Sequence, residues 1–217
     1  MTSFNSQVTE EQAIEIEKAT KNQAASRKWR EERSCRVTAS RFGEIMNMRA
    51  TTDGSRLAET IVRPSPLNVP AVKWGKMHEG RVLREYELAR GISVTRSGLV
   101  VDRTRPYLAC SPDGIAADRL VEVKGIYSCR ELEVRAGMSK WLVEQDGHLK
   151  LKEQCRYWWQ VQGQMAIVGK NRCDVVVFTD TDTKTVEVLS VPGLYGEVMV
   201  PKLKHFFESY VARALFD

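Results

Sequence analysis

Ser111-Pro112-Asp113-Gly114, followed after five residues by Leu120-Val121-Glu122-Val123-Lys124, is the stretch on which the fold turns. Side chains alternate along a strand, so Val121 and Val123 face a core while Glu122 and Lys124 share the opposite face. Asp113, at a turn upstream, brings a second carboxylate near that face. Two hard carboxylates with room for water suit Mg²⁺, which takes oxygen ligands and keeps several waters. An ammonium beside them adds positive charge for an attacking hydroxide or a crowded phosphate. Each part alone has an ordinary reading. Asp-Gly is a common turn pair, and Glu-x-Lys on a strand is commonly a solvated face.

Upstream of this stretch, Trp74, His78, Val82, Tyr86 and Ala89 recur at helical spacing. They predict a helix from about Val72 to Arg90, stopped by Gly91 in the C′ position and preceded by a stiff loop of Pro64, Pro66 and Pro70. Thr9 and Gln12 form a capping box for a polar helix running towards Arg33. Thr38 caps another, with Phe42, Ile45 and Met46 on one face. Ile92–Arg96, Ser97–Asp102, Pro106–Gly114 and Arg119–Gly125 are short, β-rich and separated by turn residues, which predicts a mostly antiparallel meander. Downstream lie a helix from Lys152 to Val168, striped by Trp158, Val161, Met165 and Val168, and a buried strand from Cys173 to Thr179. A neighbouring strand from Thr185 to Val191 and an amphipathic helix from Val198 to Leu215 complete the chain, with Pro201 tolerated near the last helix's start. The order predicts an α/β (α+β) sandwich, a central mixed β-sheet flanked by helices. Residues 1–28 read as a polar helical segment and 29–217 as one domain.

A chain of 217 residues buries a sizeable core without disulfides or structural metals. Its five cysteines are scattered, with no C-x-x-C pair, which argues against zinc, thioredoxin-like and iron–sulfur sites and suits an intracellular protein. The start, MTSFNSQVTEEQ, lacks a signal peptide's apolar run, and no stretch is long and apolar enough to span a membrane. The chain is therefore expected to be soluble, in cytoplasm or nucleus. The net charge of +5 is modest, but Arg27, Lys28, Arg30, Arg33, Arg36, Arg41 and Arg49 crowd one segment, and such a patch attracts phosphate. No P-loop or Rossmann glycine pattern points to a nucleotide-dependent small-molecule enzyme.

Asp113, eight intervening residues and Glu122-x-Lys124 match the metal-nuclease pattern PD-(D/E)xK, with Pro112 as its first letter. Around it stand Trp29, Arg33 and Val37-Thr38-Ala39-Ser40, then Trp74-Gly75-Lys76-Met77-His78-Glu79, and after it Tyr157-Trp158-Trp159-Gln160-Val161-Gln162. This ordered set resembles the phage lambda-exonuclease family, the YqaJ-like viral recombinases or alkaline exonucleases of the restriction-endonuclease-like superfold, over about Trp29 to Leu215. The resemblance implies a Mg²⁺-dependent 5′→3′ exonuclease, with Mn²⁺ as a substitute, that degrades one strand of duplex DNA to mononucleotides and leaves 3′ overhangs for recombination or repair. Asp113 would be shared by two Mg²⁺ ions, Glu122 and the Val123 carbonyl would hold the first, and Glu79 would serve the second. Lys124 would orient or activate the attacking water, and Gln160 would hold that water or a phosphate oxygen, supported by Tyr157 and Lys76. Arg33, Ser40 and Ser111 would bind the 5′-terminal phosphate, and Val72 falls where the family wedges an apolar side chain between terminal bases. Double-stranded DNA ends, a single-strand annealing protein and a homotrimeric ring are the implied partners.

The residues leave other readings open. The same metal centre serves an endonuclease or junction-resolving nuclease, and the fold without catalysis serves a DNA-binding recombination scaffold. Arg33 alone reads as a surface arginine and Ser40 as a helix-start hydroxyl. Trp29, Trp74, His78 and one of Trp158 and Trp159 read as packing residues, and Cys110 as a small buried hydrophobe.

Overall fold

Strand β5 (Leu120–Gly125) sits at the centre of the molecule and both of its faces are covered. The computed structural model describes residues 8–65, 69–137 and 141–216. β5 pairs antiparallel with β4 (Gly114–Ile115) on one side and parallel with β8 (Arg172–Phe178) on the other. β8 in turn pairs antiparallel with β9 (Thr183–Leu189), so the four-stranded sheet is mixed. On one face, Val121, Val123, Val176 and Phe178 pack against Val82, Leu83 and Tyr86 of helix α5 (Pro70–Arg90). On the other, Leu120, Val175 and Val177 join Val161 and Met165 of helix α6 (Arg156–Val168) in the main core. The alternation expected along β5 holds, but the face carrying Glu122 is enclosed rather than solvated. Glu122 is only 3% exposed.

The rest of the core forms because small residues let helices approach closely. Helix α3 (Ala39–Met46) lies across α6, where a Cβ on Gly43 would come 2.4 Å from the Arg156 backbone and one on Gly163 would come 2.4 Å from the Phe42 ring. Phe42 and Ile45 then insert fully beside Val161 and Met165. Burial of each such side chain contributes about 1.5–3 kcal/mol. Helix α4 (Ser55–Val62) and the C-terminal helical run from Leu194 to Ala214 close this layer. That run contains helices α7 (Val200–Phe206) and α8 (Ala212–Ala214) with a wide π turn before each.

Several boundaries differ from the sequence reading. The N-terminal helix stops at Ala19: α1 (Glu10–Ala19) keeps its Thr9–Gln12 capping box, but the Thr20 hydroxyl donates to the Ile16 carbonyl and a tight turn at Gln23–Ala25 follows. A separate helix α2 (Arg27–Ser34) begins at Ser26, whose hydroxyl accepts from the Trp29 amide. The expected meander divides between two sheets. β1 (Val37–Thr38) pairs parallel with β3 (Leu108–Cys110), which pairs antiparallel with β2 (Val100–Val101), and Ile92–Arg96 contributes only a bridge from Thr95 to Ile115. α5 starts at Pro70, proline being suited to a helix's first turn, and ends at Gly91 with φ 63°. Pro66 lies outside the described residues. α6 starts at Arg156 rather than Lys152, since Gln154 takes φ 59° and the Cys155 side chain caps the Trp158 amide. α4 and a hairpin of β6 (Leu142–Gln145) and β7 (His148–Leu151) are elements the sequence reading lacked.

Asp182, at the β8–β9 turn, ties this turn to the preceding chain. Its carboxylate accepts from the Val134 amide at 2.7 Å and pairs with Lys184 at 3.0 Å. Burial opposes its ionisation, but these bonds outweigh it and hold the carboxyl below the usual carboxylate range. A depressed folded pKa gives stability that is present above the unfolded value and lost as pH falls through the folded one. Asp182→Asn is therefore expected to lower the melting temperature at pH 7 and to narrow its gap to wild type below about pH 4. A melting series across pH checks this, and a gap that stays constant would contradict it.

Candidate active site

Asp113 and Glu122 meet because β4 is short. β4 pairs with β5 only as far as Val121, which leaves the Val123 amide on that edge without a strand partner. The Asp113 side chain takes it, Oδ2 accepting from Val123 N–H at 2.7 Å. Next to it, Glu122 is gripped from three directions. Its Oε1 accepts from Lys124 Nζ at 2.6 Å and from Gln160 Nε2 at 2.6 Å, and its Oε2 accepts from Gln164 Nε2 at 2.9 Å. Both glutamines come from α6, four residues apart and so on one helical face. Tyr157, a turn earlier, lies under the Lys124 ammonium at 4.9 Å from ring centre to Nζ and carries Arg156 at 4.8 Å.

The charges are not balanced locally. Burial first, then the charges of Glu122 and Glu79, push the Asp113 carboxyl well above its ordinary range. Glu79, from α5, is pushed up by burial and by Glu122, against the pull of Arg96, Lys124 and Lys76. Its Oε1 lies 3.6 Å from Arg96 Nη2. Lys124 goes the other way: burial works to lower its pKa, but the Glu122 and Asp113 carboxylates overcome this and raise it, so the amine stays charged. Three carboxylates thus share one field, with a single buried ammonium among them.

Among the described residues, no three His, Cys, Asp or Glu side chains are drawn together as a ready-made metal cage. The expected convergence is therefore electrostatic rather than a finished coordination sphere. The donor set still fits a hard divalent cation. Its oxygens are carboxylates, each with about four lone-pair positions, and Glu122 Oε2 has accepted only one hydrogen bond. A divalent cation would also relieve the repulsion that raises Asp113 and Glu79.

A second group lies beside the first. Arg33 Nη2 donates to Ser40 Oγ at 3.0 Å, and its guanidinium stacks 4.2 Å over the Trp29 ring. The Trp29 indole N–H donates to Ser111 Oγ at 2.9 Å, two residues before Asp113. Arg33, Ser40 and Ser111 are thus joined through one tryptophan. Among the described residues, Arg33 has no carboxylate partner. Burial, then the neighbouring Arg41, push its pKa down to about 10. This is an environment that favours an anion.

Other expected site residues stand further out. Val72 is half-buried and Lys76 exposed at the start of α5, and neither is bonded to the carboxylate group. Gln160 contacts Glu122 instead of presenting its amide to an open space. Trp158 and Trp159 are both buried, Trp159 donating to Asn47 at 3.1 Å, so neither offers a face for base stacking. His78 packs against both Trp74 and Phe178, whose rings stack on each other. Three contributors escaped the sequence reading: Gln164 as a second clamp on Glu122, Trp29 as a bridge, and Arg96 as the partner of Glu79. Gln164 has a signal, since with Tyr157 and Gln160 it shares the polar side of the helix opposite the apolar stripe. Arg96 has none.

The model of the YqaJ-like viral recombinase domain matches residues 28–171, two thirds of the chain and all of these site residues. The chain belongs to this family. The YqaJ-like domain shares its fold with an alkaline exonuclease from Laribacter hongkongensis, at a TM-score of 0.66 and 21% identity over 85% of this chain and 92% of that one. The same exonuclease in complex with dAMP gives 0.69 and 22% over 88% and 95%. The Shutoff and Exonuclease Protein from Kaposi's sarcoma-associated herpesvirus gives 0.58 and 10% over 94% and 73%. These neighbours carry the restriction-endonuclease-like fold expected from the sequence. No curated protein matches the chain. Among the described residues of the YqaJ-like domain, no helix is long and apolar enough to cross a membrane.

Proposed function

We propose that this protein is a Mg²⁺-dependent 5′→3′ exonuclease that hydrolyses one strand of double-stranded DNA to mononucleotides and leaves 3′ overhangs for recombination or repair. The observation that carries the reading is the Asp113–Val123 bond beside the Lys124–Glu122 pair, which sets two carboxylates and an amine on one strand edge. Asp113, Glu122, Glu79 and the Val123 carbonyl would hold magnesium, with manganese as a substitute, which would supply a water of lowered pKa and positive charge for the crowded phosphate. Lys124, kept charged by its neighbours, orients the attacking water and faces the phosphate. Gln160 and Gln164 fix Glu122 so that its remaining lone pairs point one way. Arg33, Ser40 and Ser111 take the 5′-terminal phosphate, since an arginine fork with hydroxyls is the arrangement that recognises it. Anchoring the terminus there registers the first phosphodiester over the carboxylates, which favours cutting from an end.

The test uses end-labelled linear duplex, closed circles and a branched junction with Mg²⁺. Linear duplex is consumed and circles are spared, whereas nicked circles or resolved junctions would mean an endonuclease with the same centre. Wild-type protein that digests nothing would leave a DNA-binding scaffold as the better account. Arg33→Ala is expected to cut the advantage of 5′-phosphorylated over hydroxyl ends by about 10- to 100-fold, the loss of one charged bidentate contact worth roughly 1.5–3 kcal/mol. An unchanged ratio returns Arg33 to the role of a surface residue. Light scattering on the protein with and without DNA tests the trimer that the family resemblance implies.

A further inference from the structure

The segment before Arg27 lies outside the matched family residues, yet it is bonded to the loop that carries Asp113. Gln23 has φ 41°, in the left-handed region that a glutamine seldom occupies. Such a backbone persists only where surrounding contacts hold it. Here Gln23 N–H donates to the Thr20 carbonyl, the Gln23 carbonyl accepts from the Ser26 amide, and the side chain adds two more bonds. Gln23 Nε2 donates to the Ser97 carbonyl at 2.9 Å and to the Pro112 carbonyl at 3.1 Å. Pro112 adjoins Asp113, and Ser97 adjoins Arg96, the partner of Glu79. Helix α1 steadies the arrangement from behind. Glu17 Oε1 accepts from the Gly98 amide at 3.0 Å, and Thr20 Oγ1 accepts from the Leu99 amide at 2.7 Å. A Cβ on Gly98 would lie 2.0 Å from the Glu17 carbonyl, so only glycine permits this approach.

We propose that Gln23 is a positioning residue for the metal-binding loop: its side-chain amide, anchored on the Ser97 carbonyl, clips the Pro112 carbonyl and so sets Asp113 against the Val123 amide. The inference rests on the reading of Asp113 as a metal ligand. Pro112 has no N–H of its own, so its carbonyl is the backbone handle at that position. Misplacement of a reacting group by an ångström costs on the order of 10²-fold in rate, and loss of the clip allows part of that.

Two variants of the full chain test it. Gln23→Asn keeps a residue that tolerates positive φ but shortens the side chain by one methylene, and Gln23→Glu keeps the length but sets a carboxylate against two carbonyl oxygens. Both are expected to melt within about 4 °C of wild type and to keep the KM for DNA ends. Their kcat is expected to fall about tenfold and the Mg²⁺ half-saturation to rise several-fold. Mn²⁺ binding measured by calorimetry without DNA is expected to weaken in parallel. Wild-type kcat and Mn²⁺ affinity in the folded variants overturn the proposal. So does a loss of stability with Mn²⁺ affinity unchanged, which assigns Gln23 to the fold alone. If wild-type protein digests no DNA, the nuclease reading falls, and the Mn²⁺ titration still decides whether Gln23 orders the site. A wild type that binds no Mn²⁺ removes both.

Discussion

Asp113→Asn is expected to abolish Mg²⁺-dependent digestion, by about 10³-fold or more, and yet to melt at a higher temperature than wild type. Both effects come from one charge. Asp113 is pushed up by burial, by Glu122 and by Glu79, so ionised Asp113 costs the folded state free energy that the unfolded chain does not bear. Asparagine keeps an oxygen to accept the Val123 amide and removes the repulsion. The gain should be on the order of 1 kcal/mol, or about 2–4 °C for a domain of this size. The sign fixes its pH dependence. A folded pKa raised above the unfolded value makes the penalty appear as pH rises past the ordinary carboxylate range. The stabilisation therefore grows as pH rises above the ordinary carboxylate range and vanishes below about pH 4, where both states become protonated. Thermal melts in chelator across this range measure it. A variant that melts lower than wild type at pH 8 would mean that Asp113 is not under electrostatic strain.

The largest loss of stability is expected away from the site, at Asp174 on β8. This carboxylate is fully buried, and its Oδ2 accepts from the Tyr86 hydroxyl at 2.5 Å and from Arg119 Nη1 at 3.1 Å, with Arg90 Nη2 at 3.5 Å. Burial, then the bond to Asp174, push the Tyr86 hydroxyl far above its ordinary pKa, so it stays protonated and serves as a donor. Asp174→Ala strands a buried hydroxyl and leaves Arg119 with Asp118 and Glu187 at the surface. Because Arg119 keeps a carboxylate partner and Arg90 is half-exposed, the stranded hydroxyl and the weakened ion pairs together cost about 2–3 kcal/mol, or roughly 4–12 °C in Tm. Tyr86→Phe, which leaves the two arginines in place, should cost about 1–2 kcal/mol. Urea melts of the two variants give the comparison. Equal losses would show that the hydroxyl, not the ion pairs, carries the network.

The legible parts of the fold were those with a local physical cause. Period two along Leu120–Lys124 placed Glu122 and Lys124 on one face, and Gly91 ended α5 at its expected residue. The β6–β7 hairpin has a local cause too, since Asp146-Gly147, with φ 54° and 74°, is a turn pair that announces one. Helix α4 gives little signal, being only two turns long and following a loop in which Asp53 accepts from the Ser55 amide. The partition of the meander into two sheets, and the wide turns before α7 and α8, follow from tertiary packing that no local pattern encodes. At the site, the carboxylates and Lys124 were legible as residue types in order. Their burial was not. An enclosed Glu122 requires α6 to close over β5, a contact between segments 38 residues or more apart that no local pattern encodes. Trp29 reads as packing from the sequence because a tryptophan's apolar surface outweighs the one N–H that reaches Ser111.

The parallel pairing of β5 with β8 has a consequence for synthesis. Parallel partners are joined by long connections and form slowly, because loop closure precedes the reward of contact. Leu120–Gly125 finds its neighbour only once Arg172–Phe178 exists, with α6 made on the way. Glu122 therefore meets Gln160 and Gln164 late, when most of the polypeptide has left the ribosome. A nascent chain that stops short of α6 cannot hold Glu122 between Gln160 and Gln164, so the clamp on this carboxylate is completed only after that helix is made.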